Sequence, residues 1–301
     1  MKKSNFMAVV VLLAATSCSN ESIDVSNEQA VGQALAPVTV SVSGFSVSQE
    51  EFPDGTTRAA EDVADYSGVK ALTLAFYSGS TETYKETQTR GALEEGETFG
   101  EFSLSLPLGS YTMVVIGHGL NDGEPAVTLT SPTEATFGEH PARETFVTTQ
   151  TVNIASMDAV DISATLNRII AKLQVVSTDG RTANAAKVRV TMSAGGKAFN
   201  PTTGLAISNT GIINTLGISA AAGTTSSSNS YLFLVTDEQT MDVTIETLDA
   251  DGAVLFSKTV NNVPFKRNRV TKLTGAMYTN NSVSGAFQVE TGWLSDYNGT
   301  F

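Results

Sequence analysis

Val38, Val40 and Val42 alternate with Thr39, Ser41 and Ser43. A period of two buries one side of a segment only if the segment is extended, because successive side chains of a strand point to opposite faces. The pattern recurs along the chain. Leu72, Leu74 and Phe76 share a face of a strand predicted near Val69–Tyr77, Phe102, Leu104 and Leu106 alternate with Ser103, Ser105 and Pro107, and Val188, Val190 and Met192 alternate with Lys187, Arg189 and Thr191. Further strands are predicted at Tyr111–Gly117, Phe146–Ile154, Tyr231–Val235, Met241–Leu248 and Val254–Val260. Ile169, Ala171, Leu173 and Val175 face one way and Arg168, Lys172 and Gln174 the other, with Ile170 breaking the polar face. A helix over Leu166–Val176 is the alternative there; the β-branched residues favour a strand. Leu106-Pro107-Leu108-Gly109-Ser110-Tyr111 reads as a hairpin, and so does Asp249-Ala250-Asp251-Gly252 between its flanking strands. Segments around Pro125, Pro132 and Pro141, and Ala220–Asn229, read as loops. The 30 Ser and 39 Thr outnumber the 49 charged side chains and supply hydroxyl-bearing wet faces. Short strands with turn residues every ~8–12 positions predict an all-β chain of two β-sandwiches. Their boundary is placed near Ala155–Val160.

The amino terminus reads as an address. Lys2 and Lys3 precede the ten-residue apolar run Phe6–Ala15, too short to span a bilayer and the right length for a signal peptide. Ala15-Thr16-Ser17 then leads into Cys18, the single Cys of the chain, which reads as a lipoprotein signal cut before a lipid-bearing cysteine. An ordinary cleavage site beside an incidental Cys is the plainer alternative. Ser19–Ala36 is polar and acidic and reads as a tether.

Composition removes most catalytic and binding classes. A net charge of −13 repels phosphate, so nucleic acid is excluded as a partner. One Cys forms no disulfide within a chain. The only imidazoles, His118 and His140, read as isolated loop residues. Asp249 and Asp251 lack the further ligands of a calcium loop, and Gly195-Gly196-Lys197 lacks the spacing of a phosphate cradle. With no nucleophile motif, no cofactor and no metal site are expected, and the chain is not read as an enzyme.

Two features remain. Thr57-Arg58-Ala59-Ala60 lies in a polar loop after one isolated strand, an accessible point for a trypsin-like protease. A terminal segment, Ala286–Phe301, carries Phe287, Val289, Trp293, Tyr297 and Phe301, large apolar groups that need a partner surface.

Taken with the lipoprotein signal, the first strand and its Arg58 loop, Leu106–Tyr111, Leu166-Asn167-Arg168-Ile169-Ile170-Ala171-Lys172-Leu173, Lys266-Arg267-Asn268 and the tail, the chain resembles the fimbrillin-type (FimA-like, type V pilus) subunits of Bacteroidales bacteria. The resemblance implies two transthyretin-like β-sandwich domains in tandem after a lipoprotein signal peptide. Its implied segments are signal peptide 1–17, tether 18–37, first sandwich 38–157, second sandwich 158–284 and tail 285–301. It implies a structural, adhesive subunit of a cell-surface fimbria. That subunit reaches the outer membrane through lipid on Cys18, is cut between Arg58 and Ala59 by an Arg-specific protease, loses its first strand, and joins other fimbrial subunits head to tail through a donor strand. The donor role falls on the tail with Phe287, Val289, Trp293, Tyr297 and Phe301. A stalk or a tip position fits this reading; a lipid-anchored anchor subunit and a surface glycan-binding lipoprotein are the alternatives.

Overall fold

The computed structural model describes residues 34–46, 62–63, 65–121, 123–279 and the backbone of 288–291. No helix occurs among them. The first half carries β1 (Leu35–Ser46), β2 (Ala71–Ser78), β3 (Thr81–Thr89), β4 (Glu101–Pro107), β5 (Gly109–His118), β6 (Thr128–Ser131), β7 (Glu134–Thr136), β8 (Thr145–Ile154) and β9 (Val160–Arg168). Then come β10 (Ala171–Ser177), β11 (Lys187–Met192), β12 (Ala198–Asn200), β13 (Leu205–Ala206) and β14 (Ile212–Gly217). The last five are β15 (Ser227–Leu232), β16 (Glu238–Leu248), β17 (Val254–Lys266), β18 (Val270–Gly275) and β19 (Gln288–Thr291).

Seven strands form the first sheet, in the order β3-β2-β5-β8-β9-β1-β4. Its two parts meet only where Phe146 and Val147 of β8 pair with Arg168 and Asn167 of β9. From that narrow join the parts face each other. Val38, Val40 and Phe45 of β1, Phe102 and Leu106 of β4 and Leu166 of β9 close one core with Leu72, Leu74, Met113, Val115 and Phe146. The second sandwich packs the sheet β15-β10-β18-β19 on the sheet β14-β11-β16-β17. Leu173, Val175, Leu232 and Leu273 from one meet Val188, Val190, Val243, Ile245 and Phe265 from the other.

Sequence patterning and structure part company at three points. β9 lies beyond the expected boundary at 157/158, yet it runs parallel to β1 and completes the first sheet, so the chain passes between the sandwiches at Ile169–Ile170. Alternation cannot reveal this, because a strand's partner is set by tertiary register. Leu106–Tyr111 is a crossover rather than a hairpin: β4 pairs with β1, whereas β5 pairs with β2 and β8. The Tyr111 hydroxyl donates to the Pro107 carbonyl at 2.9 Å and pins that bend. The Pro-rich stretch is not all loop. Its β6 and β7 join β12 and β13 in a small sheet drawn from both halves, ordered β13-β12-β7-β6. That sheet covers a third core containing Tyr77, Val114, Ile116, Phe199, Phe233 and both Ile169 and Ile170. Ile170 interrupts the polar face of its segment because it is buried in this junction.

Candidate assembly site

β1 is an interior strand. Leu35–Ser41 pair antiparallel with β4, and Val38–Ser46 pair parallel with β9. Ala36, Val38, Val40 and Val42 point inward and are at most 6% exposed. A register shift between Val42 and Gly44 then breaks the alternation and turns Phe45 into the core. Its ring lies 5.0 Å from Phe146 and 5.5 Å from Tyr66. Gly117 of β5 lies opposite; a Cβ there would come within 3.1 Å of Phe45 and Leu72 and 3.2 Å of Leu166, so these side chains would have to give by a few tenths of an ångström. Ser43 donates to the Ala164 carbonyl at 3.3 Å on the outer side. The result is a slot with four small aliphatic positions, one aromatic position and hydrogen-bond ladders on both rims. Among the described residues β4 has no ladder partner other than β1, so the slot supplies the backbone pairing of the sheet's edge.

Cys18, Arg58 and Ala59 lie outside the described residues, as do Phe287, Trp293, Tyr297 and Phe301. The 288–291 backbone runs antiparallel to β18, with Val289 opposite Leu273, as the edge strand of the second sandwich. Just before it, Asp179 fixes the exit of the chain. Its carboxylate accepts from the backbone N–H groups of Met277 (2.8 Å), Tyr278 (2.9 Å) and Thr279 (2.9 Å) and from the Thr279 hydroxyl (2.9 Å). Burial alone would raise its pKa, but these four donors hold it below the usual carboxylate range.

His118 ends β5 and is fully buried rather than in a loop. Its Nδ1–H donates to the Gly119 carbonyl at 2.6 Å, and its Nε2 accepts from the Val127 N–H at 3.1 Å. Burial, aided by the nearby Arg143 charge and opposed by the Gly119 bond, lowers its pKa to about 4. It is a neutral brace for the following loop. His140 is half-exposed and 3.7 Å from Glu124. Among the described residues no group of three or more His, Cys, Asp or Glu converges on a point that could hold a metal ion. Asp249 and Gly252 form the expected hairpin turn, with Gly252 at φ 92° and the Asp249 carboxylate accepting from the Ala253 N–H at 2.8 Å. Gly195 and Gly196 pack against Phe233 and Ser208 as a tight bend.

Two sequence motifs that looked unrelated meet at the junction. Arg168 donates to Asn268 at 3.2 Å, pairs with Glu144 at 2.8 Å and donates to the Tyr66 hydroxyl at 3.1 Å; the Asn268 N–H returns to the Ile170 carbonyl at 3.0 Å. Arg168 and Asn268 line a cleft of about 590 Å³ with Lys266, Arg267, Asp237 and Glu238. The last four are already matched within the chain, as Lys266–Glu238 (2.6 Å) and Arg267–Asp237 (2.7 Å).

Residues 35–300 match the model of DUF6562, a family of unknown function. The chain belongs to this family. The match begins at the first residue of β1 and takes in the tail. No curated protein matches the sequence. Among solved structures, the fimbrial anchor protein Mfa2 of Porphyromonas gingivalis superposes with a TM-score of 0.45 at 12% identity, covering 86% of this chain and 98% of that one. The C-terminally truncated tip fimbrial protein Mfa3 of the same organism gives 0.39 at 9% identity, covering 86% and 99%. A proposed adhesin of Bacteroides ovatus gives 0.48 at 12% identity, covering 82% and 88%.

Sequence reasoning did not find Asp179, Gly117 or the Tyr66–Glu144–Arg168 cluster. Their partners lie far along the chain: Met277 is 98 residues from Asp179, and Arg168 is 102 from Tyr66. Only the break at Ile170 left a mark on local patterning.

Proposed function

We propose that this chain is a structural subunit of an adhesive cell-surface fimbria. It is exported as a lipoprotein held at the outer membrane through Cys18, cut after Arg58 by a trypsin-like protease, and joined head to tail to other fimbrial subunits by strand exchange. The observation that carries this reading is the place of β1. Among the described residues it is the one strand that precedes Arg58 in the sequence, and it lies inside a sheet. A single cut in the Arg58 loop turns an integral strand into a bound, replaceable one. Its loss opens unpaired N–H and C=O groups on two strands and an apolar stripe, which an extended segment from another subunit restores by strand addition. A contact in which one subunit's arm fills the next subunit's slot is heterologous and does not close, so it propagates as a filament.

Limited trypsin digestion of the chain from residue 19, followed by native mass spectrometry, tests this. The expected product is cut after Arg58 with the β1 fragment still bound, and it loses that fragment when a competing strand is supplied. A chain that resists cleavage in this loop, or whose cut β1 never exchanges, refutes the reading and points to the lipid-anchored anchor subunit.

A further inference from the structure

The slot occupied by β1 has a definite side-chain specification, and the chain's own tail does not meet it. Reading along β1, the slot takes Ala36, Val38, Val40 and Val42 at four alternate positions, all buried, then an aromatic ring after an irregular step through Gly44. The wall opposite that ring is closely packed, since a Cβ on Gly117 would lie 3.1 Å from it. Protein cores are packed to crystal-like density, so a bulkier group in such a position forces neighbours off their rotamers.

The tail, residues 285–301, can present two alternating sets. Gly285, Phe287, Val289, Thr291, Trp293, Ser295, Tyr297, Gly299 and Phe301 form one; Ala286, Gln288, Glu290, Gly292, Leu294, Asp296, Asn298 and Thr300 form the other. Every run of four in the first set contains an aromatic residue, and every run of four in the second contains an acidic one. Neither strand direction nor any shift in register avoids this. A second observation agrees: the 288–291 backbone is already engaged with β18 of its own sandwich, so using it elsewhere would first break that ladder.

We infer that the slot selects a donor strand from a different protein, one with Ala-, Val- or Ile-sized residues at four alternate positions, and that this chain does not polymerise with itself. This rests on the strand-exchange reading above and names the partner for the same site. Such a subunit is added where a different subunit precedes or follows it, so its place in a filament is fixed by side-chain fit.

The test uses the full chain cut after Arg58 and three fluorescent peptides: residues 35–46, the same peptide with Val38→Phe and Val40→Trp, and residues 285–301. Binding is read by fluorescence polarisation and assembly by native mass spectrometry. Overpacking costs about 1–3 kcal/mol per site, so two sites weaken binding by at least about thirtyfold. The 35–46 peptide is expected to exchange into the slot, the doubly substituted peptide and the tail to bind at least that much more weakly, and the cut chain alone to remain a single copy. A tail peptide that binds as well as 35–46, or a cut chain that multimerises alone through its tail, overturns the inference and leaves strand exchange standing. Failure of the 35–46 peptide itself to enter overturns strand exchange and the inference with it.

Discussion

Removing residues 1–58 is expected to dismantle one half of one sheet and leave the second sandwich intact. The deletion takes out Val38, Val40, Val42 and Phe45, each buried to 6% exposure or less. At about 1.5–3 kcal/mol per large apolar side chain, the loss is roughly 6–12 kcal/mol. That is comparable to the whole stability of a typical domain, about 5–15 kcal/mol. The damage is also local in a predictable way. Among the described residues β4 has a backbone ladder only with β1, beside one side-chain bond from Gln88 of β3 to the Glu101 carbonyl at 2.7 Å, and β9 keeps only its two-residue join to β8. Hydrogen exchange followed by mass spectrometry is the assay. Amides of β4 and most of β9 are expected to lose protection, those of β16 and β17 to keep it, and a synthetic 35–46 strand added in excess to restore the lost protection. Should residues 101–107 stay as protected in the shortened chain as in the full one, β1 is not what holds that edge, and the slot argument fails.

Acid is expected to destabilise the fold through His118. Its folded pKa is about 4 against about 6.5 unfolded, so between these values the unfolded chain binds a proton that the folded one refuses, and stability falls as pH drops through that window. The expected loss from pH 7 to pH 5 is about 2 kcal/mol in denaturant titrations; an NMR titration that shows the imidazole charging near 6.5 refutes it. Asp179→Asn is expected to cost roughly 1–3 kcal/mol and to speed amide exchange at Met277–Thr279, since a charged acceptor for four donors is lost. Because the folded pKa of Asp179 is depressed, its contribution is complete above the unfolded carboxylate pKa and disappears as pH falls through the lower folded value; an unchanged acid limb in the Asn variant argues against the clamp. Arg168→Ala leaves Glu144 and Asn268 without their guanidinium partner at the junction. It is expected to cost about 3–5 kcal/mol, read as a drop in the calorimetric Tm, and a change within error would show the network to be passive.

The contrast between what was legible in the sequence and what was not follows from the range of the forces involved. Strand existence is local: the Val38–Val42 alternation fixes which side of β1 is buried whatever its neighbours are, and β1 has that face inward. Turn chemistry is local too, so Asp249–Gly252 could be placed from four residues. Pairing is not local. Nothing in residues 160–168 states that they lie beside 38–46, and nothing in 106–111 distinguishes a hairpin from a crossover until Tyr111 is seen to hold Pro107. The candidate site combines both kinds of information. Its side-chain specification was readable because it is written in β1 itself. The exchange role proposed for it was implied by the family resemblance, but its structural basis was not readable, because a strand can act as a replaceable ligand only when it is interior, when another strand depends on it, and when a cut frees it from the rest. β1 meets the first two conditions by its position between β9 and β4. A first strand at the sheet edge would have the same alternation and the same loop, yet its loss would expose one rim instead of two and strand no neighbour. On the proposed strand-exchange reading, topology therefore decides whether a cut after Arg58 would be a mere nick or a step in assembly.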